Sequence, residues 1–131
     1  MGPLQGIKIV EFSGIGPGPY CGMLLADLGA DVIRISRKET EGLENKFDIH
    51  NRSKRTITAD LKNKESAKEL LKLIGQVDVV FEGFRPGVME KLGLGPNECL
   101  KVNPKLVYGR MTGWGQELSL IHISEPTRQD R

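Results

Sequence analysis

Four cations and one glycine-rich turn carry most of the chemistry this sequence offers. Arg37, Lys62 and Arg85 each follow a β-rich apolar run, and Lys91 lies shortly after Arg85. Positive groups gathered from several strand ends can neutralise a polyphosphate, with guanidinium groups adding bidentate contacts. Each cation alone would be an ordinary solvated charge; a shared sheet edge is what makes the case. The turn Gly14-Ile15-Gly16-Pro17-Gly18-Pro19 could bring backbone N–H groups against a diphosphate. It departs from the dinucleotide fingerprint G-x-G-x-x-G, because Gly18 comes too early and Pro19 fills the sixth place. The two prolines also remove N–H donors. The second strand ends in Ser36-Arg37, where an NAD site would place an Asp or Glu against the ribose. An arginine there suits a phosphate monoester on the ribose, as in NADP or the 3′-phosphate of coenzyme A.

Other reactive groups point nowhere so definite. Cys21 and Cys99 have no metal-ligand spacing, and Cys21 reads as a small apolar residue on a helix face. With no disulfide framework, a reducing, cytoplasmic setting is expected. His50 falls in a polar connection and reads as a surface residue rather than a base. A formal net charge of +2 over 131 residues implies no general polyanion-binding surface, so nucleic acid is not an expected partner. The start of the chain has no basic flank leading into an apolar run, so no signal peptide is expected. No segment reaches the roughly 18 apolar residues of a membrane span. Apolar residues at 38% and charged ones at 27% are ordinary for a globular domain.

The elements that must position the cations follow from apolar spacing. Residues 7–12 form a β-branched apolar run, too short for an ordinary helix. Helical spacing from 20 to 28 ends at Gly29, and 30–35 supplies a second strand. A polar connection without a period covers 38–55. A third strand is predicted over 56–61. Asn63 opens a helix with Ala67, Leu70, Leu71 and Ile74 on its apolar face, ended by Gly75. A fourth strand over 77–81 leads into Glu82-Gly83-Phe84-Arg85-Pro86-Gly87. Pro86 suits the first turn of a short helix carrying Val88, Met89 and Leu92. A second short helix is predicted over 96–102 and a fifth strand over 106–111, which delivers Thr112-Gly113-Trp114-Gly115-Gln116 to the sheet edge. Strands alternating with helices make this an α/β chain with a mainly parallel sheet, Rossmann-like in its opening unit. Right-handed crossovers then put Arg37, Lys62 and Arg85 on one carboxyl edge.

The run Leu118-Ser119-Leu120-Ile121-His122-Ile123-Ser124-Glu125-Pro126-Thr127-Arg128 breaks this rhythm. It resembles the translation of a transposase-type sequencing adapter, so residues 118–131 are expected to be a non-native tail and are set apart from the fold. Residues 1–117 are expected to form a partial α/β domain.

Within residues 4–116 the motifs resemble, in order, the amino-terminal part of the family III coenzyme A transferases, in their α-methylacyl-CoA racemase branch. They are Gly14-Ile15-Gly16-Pro17-Gly18-Pro19, then Leu25-Ala26-Asp27-Leu28-Gly29-Ala30-Asp31-Val32 with Arg34 and Arg37, and Ala59-Asp60-Leu61-Lys62. Phe84-Arg85-Pro86-Gly87-Val88-Met89-Glu90-Lys91-Leu92-Gly93-Leu94-Gly95 and Arg110-Met111-Thr112-Gly113-Trp114-Gly115-Gln116 complete the set. The resemblance implies a Rossmann-like domain that binds acyl-coenzyme A within an interlocked homodimer. It places CoA contacts on Arg37, Ala59, Asp60, Leu61, Lys62, Gly83, Phe84, Arg85 and Lys91. It also implies inversion of the α-carbon of a 2-methylacyl thioester by proton transfer through an enolate, with no metal and no cofactor beyond the substrate's own CoA moiety. The family's catalytic His sits in a Gly-His-Asp-Ile-Asn-Tyr segment, with its Asp partner further on. His122 has none of those neighbours and receives no catalytic role. Two alternatives stand beside this: a CoA transferase of the same family working through an aspartyl carboxylate, and a nucleotide-binding module without catalysis. The chain alone is expected to show no racemase activity, and to associate or dissolve poorly through uncovered apolar surface.

Overall fold

The computed structural model describes residues 2–12, 14, 17–37 and 49–112. Five strands form one parallel sheet: β1 (Lys8–Phe12), β2 (Asp31–Arg37), β3 (Lys54–Ala59), β4 (Val79–Glu82) and β5 (Val107–Arg110), in the spatial order β3-β2-β1-β4-β5. Among the described residues four α-helices lie between them, α1 (Pro17–Asp27), α2 (Lys64–Ile74), α3 (Val88–Lys91) and α4 (Pro96–Val102), with a single 3-10 turn at Ile49–Asn51 ahead of β3. β1 is central because the chain builds outward from it, first through β2 to β3 and then back across to β4 and β5. That reversal makes a topological switch point between β1 and β4, the place where ligands of open α/β sheets generally bind.

Strand alternation divides the apolar residues between two faces. Val10, Phe12, Ile33, Ile35 and Val80 join Leu61, Ala67, Leu70, Ile74, Met89, Leu94 and Cys99 in the larger core. Ile9, Val32 and Phe81 face the other way, against Ala26 and Ala30. α2 contributes Ala67, Leu70 and Ile74, three of the four positions its spacing predicts, while Leu71 is only partly buried. Its start is the expected one: Asn63 caps it, Oδ1 accepting from the Glu65 N–H at 2.8 Å and the Ser66 N–H at 3.3 Å. Gly29, at φ 103, closes the α1 turn in the left-handed region that glycine enters without steric cost.

Several boundaries differ from the sequence reading: β2 runs on to Arg37, and β4 covers Val79–Glu82 rather than 77–81. α1 begins at Pro17 rather than near Tyr20, so Pro17, Gly18 and Pro19 are its first turn. A first turn has no intrahelical acceptors for its N–H groups, so prolines there forfeit no helical bond. β3 begins at Lys54, inside what reads as a polar connection, and ends at Ala59 rather than Leu61. Lys54 pairs in the ladder with Val32. Its side chain is fully buried, Nζ 2.8 Å from Glu11 Oε1 on β1, and it donates to the Pro19 carbonyl at 3.1 Å. Glu11 is equally buried, and burial raises its carboxyl pKa against the opposing pull of Lys54. Room for the pair comes from Gly22 of α1, where a Cβ would overlap Glu11 Oε1 and lie 2.9 Å from Lys54 Nζ.

The outer face of α1 carries Tyr20 and Leu24, and Leu28 follows one turn on, just past its end; each is between 43% and 50% exposed. Among the described residues no helix is long and apolar enough to cross a membrane.

Candidate functional site

The carboxyl edge collects the predicted cation-bearing segments. β2 ends at Arg37, and β3 ends at Ala59, directly opposite Arg37 in the ladder. β4 ends at Glu82 and passes into Gly83-Phe84-Arg85. Arg37 and Phe84 meet across the end of β1: the guanidinium carbon lies 5.2 Å from the ring centroid. The Phe84 ring in turn meets Phe12, the last residue of β1, edge to face at 6.4 Å. A cation over an aromatic face is an attractive contact. Here it fixes a positive, planar group directly over the switch point.

The other predicted residues take distinct places. Asp60 turns the chain after β3, its Oδ1 accepting the Lys62 N–H at 3.2 Å. That leaves the Lys62 side chain exposed. Leu61 is 4% exposed and belongs to the larger core, so only its backbone could serve a ligand. Arg85 is half-buried in the loop after β4, and Lys91 is exposed on α3. The α1 start makes a poor anion cradle, because two of its first three residues are prolines without N–H groups. The positive charge at this edge is therefore carried by side chains of strand ends and their loops rather than by a glycine-rich helix terminus.

A second polar arrangement at this edge escapes sequence reasoning. Arg110, the last residue of β5, donates from Nε to Glu82 Oε2 at 2.8 Å. Its two terminal nitrogens donate to both Glu90 oxygens of α3, each at 2.8 Å. The other oxygen of Glu82 accepts the Phe84 N–H at 2.8 Å. Glu82 is 1% exposed, so both of its oxygens need partners and both have them. Hydrogen bonds from Arg110 hold the Glu90 carboxyl below its ordinary range. Gly87, at φ 88, makes the sharp entry into α3 that brings Glu90 back toward β5. Only the adjacency of Glu82 and Phe84 is visible along the chain; Arg110 finds its partners through the fold.

Neither cysteine is poised as a nucleophile. Burial pushes the Cys99 thiol up to about 11, and burial together with Glu11 raises Cys21. Cys21 packs partly buried against the α1-side core, close to its predicted role. Among the described residues no three His, Cys, Asp or Glu side chains cluster to hold a metal. Residues 38–48, 113–117, the 118–131 tail and with it His122 lie outside the described residues, as does Gly16 of the turn.

Comparison with known proteins gives a consistent set of relatives. The model of the family described as CoA-transferase family III matches residues 4–120. The α-methylacyl-CoA racemase of Mus musculus is 47% identical over 113 residues, which is 86% of this chain and 29% of the relative. A Mycobacterium tuberculosis protein named "Probable fatty acyl-CoA transferase Rv3272" is 39% identical over 126 residues, covering 86% of this chain and 32% of its own length. A crystal structure of Rv3272 superposes with a TM-score of 0.83 at 38% identity, covering 90% of this chain and 34% of that one. The chain thus spans about 30% of the curated relatives it matches.

Proposed function

Since the chain belongs to CoA-transferase family III, we propose that its sheet holds the nucleotide end of an acyl-coenzyme A for an α-methylacyl-CoA racemase. The observation that carries this reading is the meeting of Arg37 and Phe84 over the end of β1. A guanidinium fixed at the end of β2 is placed for a ribose phosphate monoester. Lys62, Arg85 and Lys91 extend the positive edge for a diphosphate. The backbone at Ala59, Asp60, Leu61 and Gly83 lines the strand ends between them. CoA is then part of the substrate, and no separate cofactor is required.

In this reading the whole protein is a cytoplasmic homodimer that inverts the α-carbon of a 2-methylacyl thioester. One group removes the α-proton, an enolate forms, and a second group returns a proton to the opposite face. No described residue is assigned to either group. The exposed stripe of Tyr20, Leu24 and Leu28 supports a parent in which more protein covers α1. A CoA transferase is the second reading, favoured by the 38% identical structural match; it would use a carboxylate nucleophile in place of proton transfer.

Calorimetric titration of the chain with coenzyme A and with 3′-dephospho-CoA tests the nucleotide assignment. CoA is expected to bind more tightly than its dephospho form. Arg37→Ala should weaken CoA about tenfold, equivalent to ~1.4 kcal/mol, and should erase that preference. Absence of binding to either ligand would refute the assignment. Incubation in D2O with a 2-methylacyl-CoA should give no α-proton exchange with this chain. The complete parent should show exchange if it is a racemase, and CoA transfer to a free carboxylate if it is a transferase.

A further inference from the structure

Residues Gly83, Phe84, Arg85 and Lys91 all fall within one segment, 83–91, and that segment is fastened at both ends to a single guanidinium. At its start, the Phe84 N–H rests on Glu82, whose second oxygen is held by Arg110 Nε. At its end, Glu90 takes both terminal nitrogens of Arg110. All three nitrogens of Arg110 are thereby committed within the protein. Lysine, with its compact ammonium, could not satisfy a buried carboxylate and a bidentate one in the same fixed plane.

We propose that Arg110 and Glu82 are positioning residues for the acyl-CoA site, clamping segment 83–91 so that Phe84 sits beneath Arg37 and Arg85 and Lys91 face the ligand's phosphates. This rests on the CoA reading above. Glu82 acts through the Phe84 amide, and Arg110 acts through Glu82 and Glu90. The clamp also ties β5 to β4 at the point where the chain leaves toward Thr112. Displacement of Arg110 would let the Phe84 ring leave Phe12 and Arg37 while the sheet beneath stays paired.

The test uses the 131-residue chain, coenzyme A as the probe, and amide hydrogen exchange read residue by residue. Arg110→Ala is expected to weaken CoA binding at least tenfold and to speed exchange at the Phe84 amide at least tenfold. The Val10 and Ile33 amides at the sheet centre should be unchanged, a pattern that general destabilisation would not give. Arg110→Lys should fall between Arg110→Ala and the parent. Glu90→Gln removes a charge from a half-exposed site while keeping the side chain's size; it should weaken CoA about threefold, with the same local exchange pattern. Should Arg110→Ala unfold, Glu90→Gln decides. CoA affinity within twofold of the parent, with unaltered Phe84 exchange, overturns the clamp. A parent chain that binds no CoA overturns the reading beneath it, whatever the exchange shows.

Discussion

Two of the charge clusters that join strands among the described residues solve opposite problems. Glu11 and Lys54 are sealed beneath α1, with neither side chain exposed. Glu82, Arg110 and Glu90 stand at the carboxyl edge, with exposure rising from 1% at Glu82 through 19% at Arg110 to 47% at Glu90. The first holds a point charge between one carboxylate and the Pro19 carbonyl. In the second, one planar cation shares its donors between two carboxylates. Sealing a pair away makes it indispensable without making it profitable, since desolvation offsets most of the Coulombic gain. Grading the other from buried to wet lets it order a loop at modest cost. The first fixes β1, β3 and the α1 start; the second fastens segment 83–91 and the side chains it carries.

The sharpest way to break this contrast is Lys54→Ala. It strands a buried carboxylate and should cost about 3–5 kcal/mol, seen as a large fall in the denaturation midpoint. The double replacement Glu11→Leu with Lys54→Met should recover most of that loss. If the double variant is as unstable as the single one, the pair contributes more than mutual neutralisation. Gly22→Ala forces a methyl group onto the same carboxylate and should cost about 1–3 kcal/mol. Thermal melting would show a smaller effect if α1 can lift away. The smallest effect is a pH response. Arg110 lowers the Glu90 pKa, so its contribution is complete above the unfolded value of about 4.3 and fades as pH falls through the lower folded value. Glu90 is half exposed, so the loss should stay within about 0.5 kcal/mol. Glu11 runs the other way: its raised pKa means the folded state takes up the proton first, which favours folding as the pH drops. Melting curves of Glu90→Gln against the parent below about pH 4.5 would separate the two contributions.

The same contrast explains what the sequence could and could not disclose. Strand and helix order, the Asn63 cap, the core face of α2 and the common edge of Arg37 and Arg85 are written in local spacing. The resemblance to CoA-transferase family III is likewise carried by contiguous motifs, and the family match bears it out. Lys54 gives no signal along the chain because a lysine after a polar stretch looks solvated, and only the ladder with β2 brings it over Glu11. The α1 start is ambiguous in the sequence because prolines that punctuate a turn also suit a helix's first turn. Arg110 binds partners 28 and 20 residues away, a distance at which periodicity carries no signal.

The strand order also dictates how the chain must fold. Ile9 meets Val32, about 20 residues on, through one βαβ unit, but it meets Val79 only after about 70 residues have intervened. Closing that second, longer loop is the slower event, because chain entropy must be lost before the pairing rewards it. Until then the other edge of β1 stands open, with Lys8 and Val10 offering unsatisfied backbone groups beside an uncovered Phe12. The nascent sheet is therefore most prone to mispairing at the strand that ends up best protected, and the arrival of β4 is what ends that exposure.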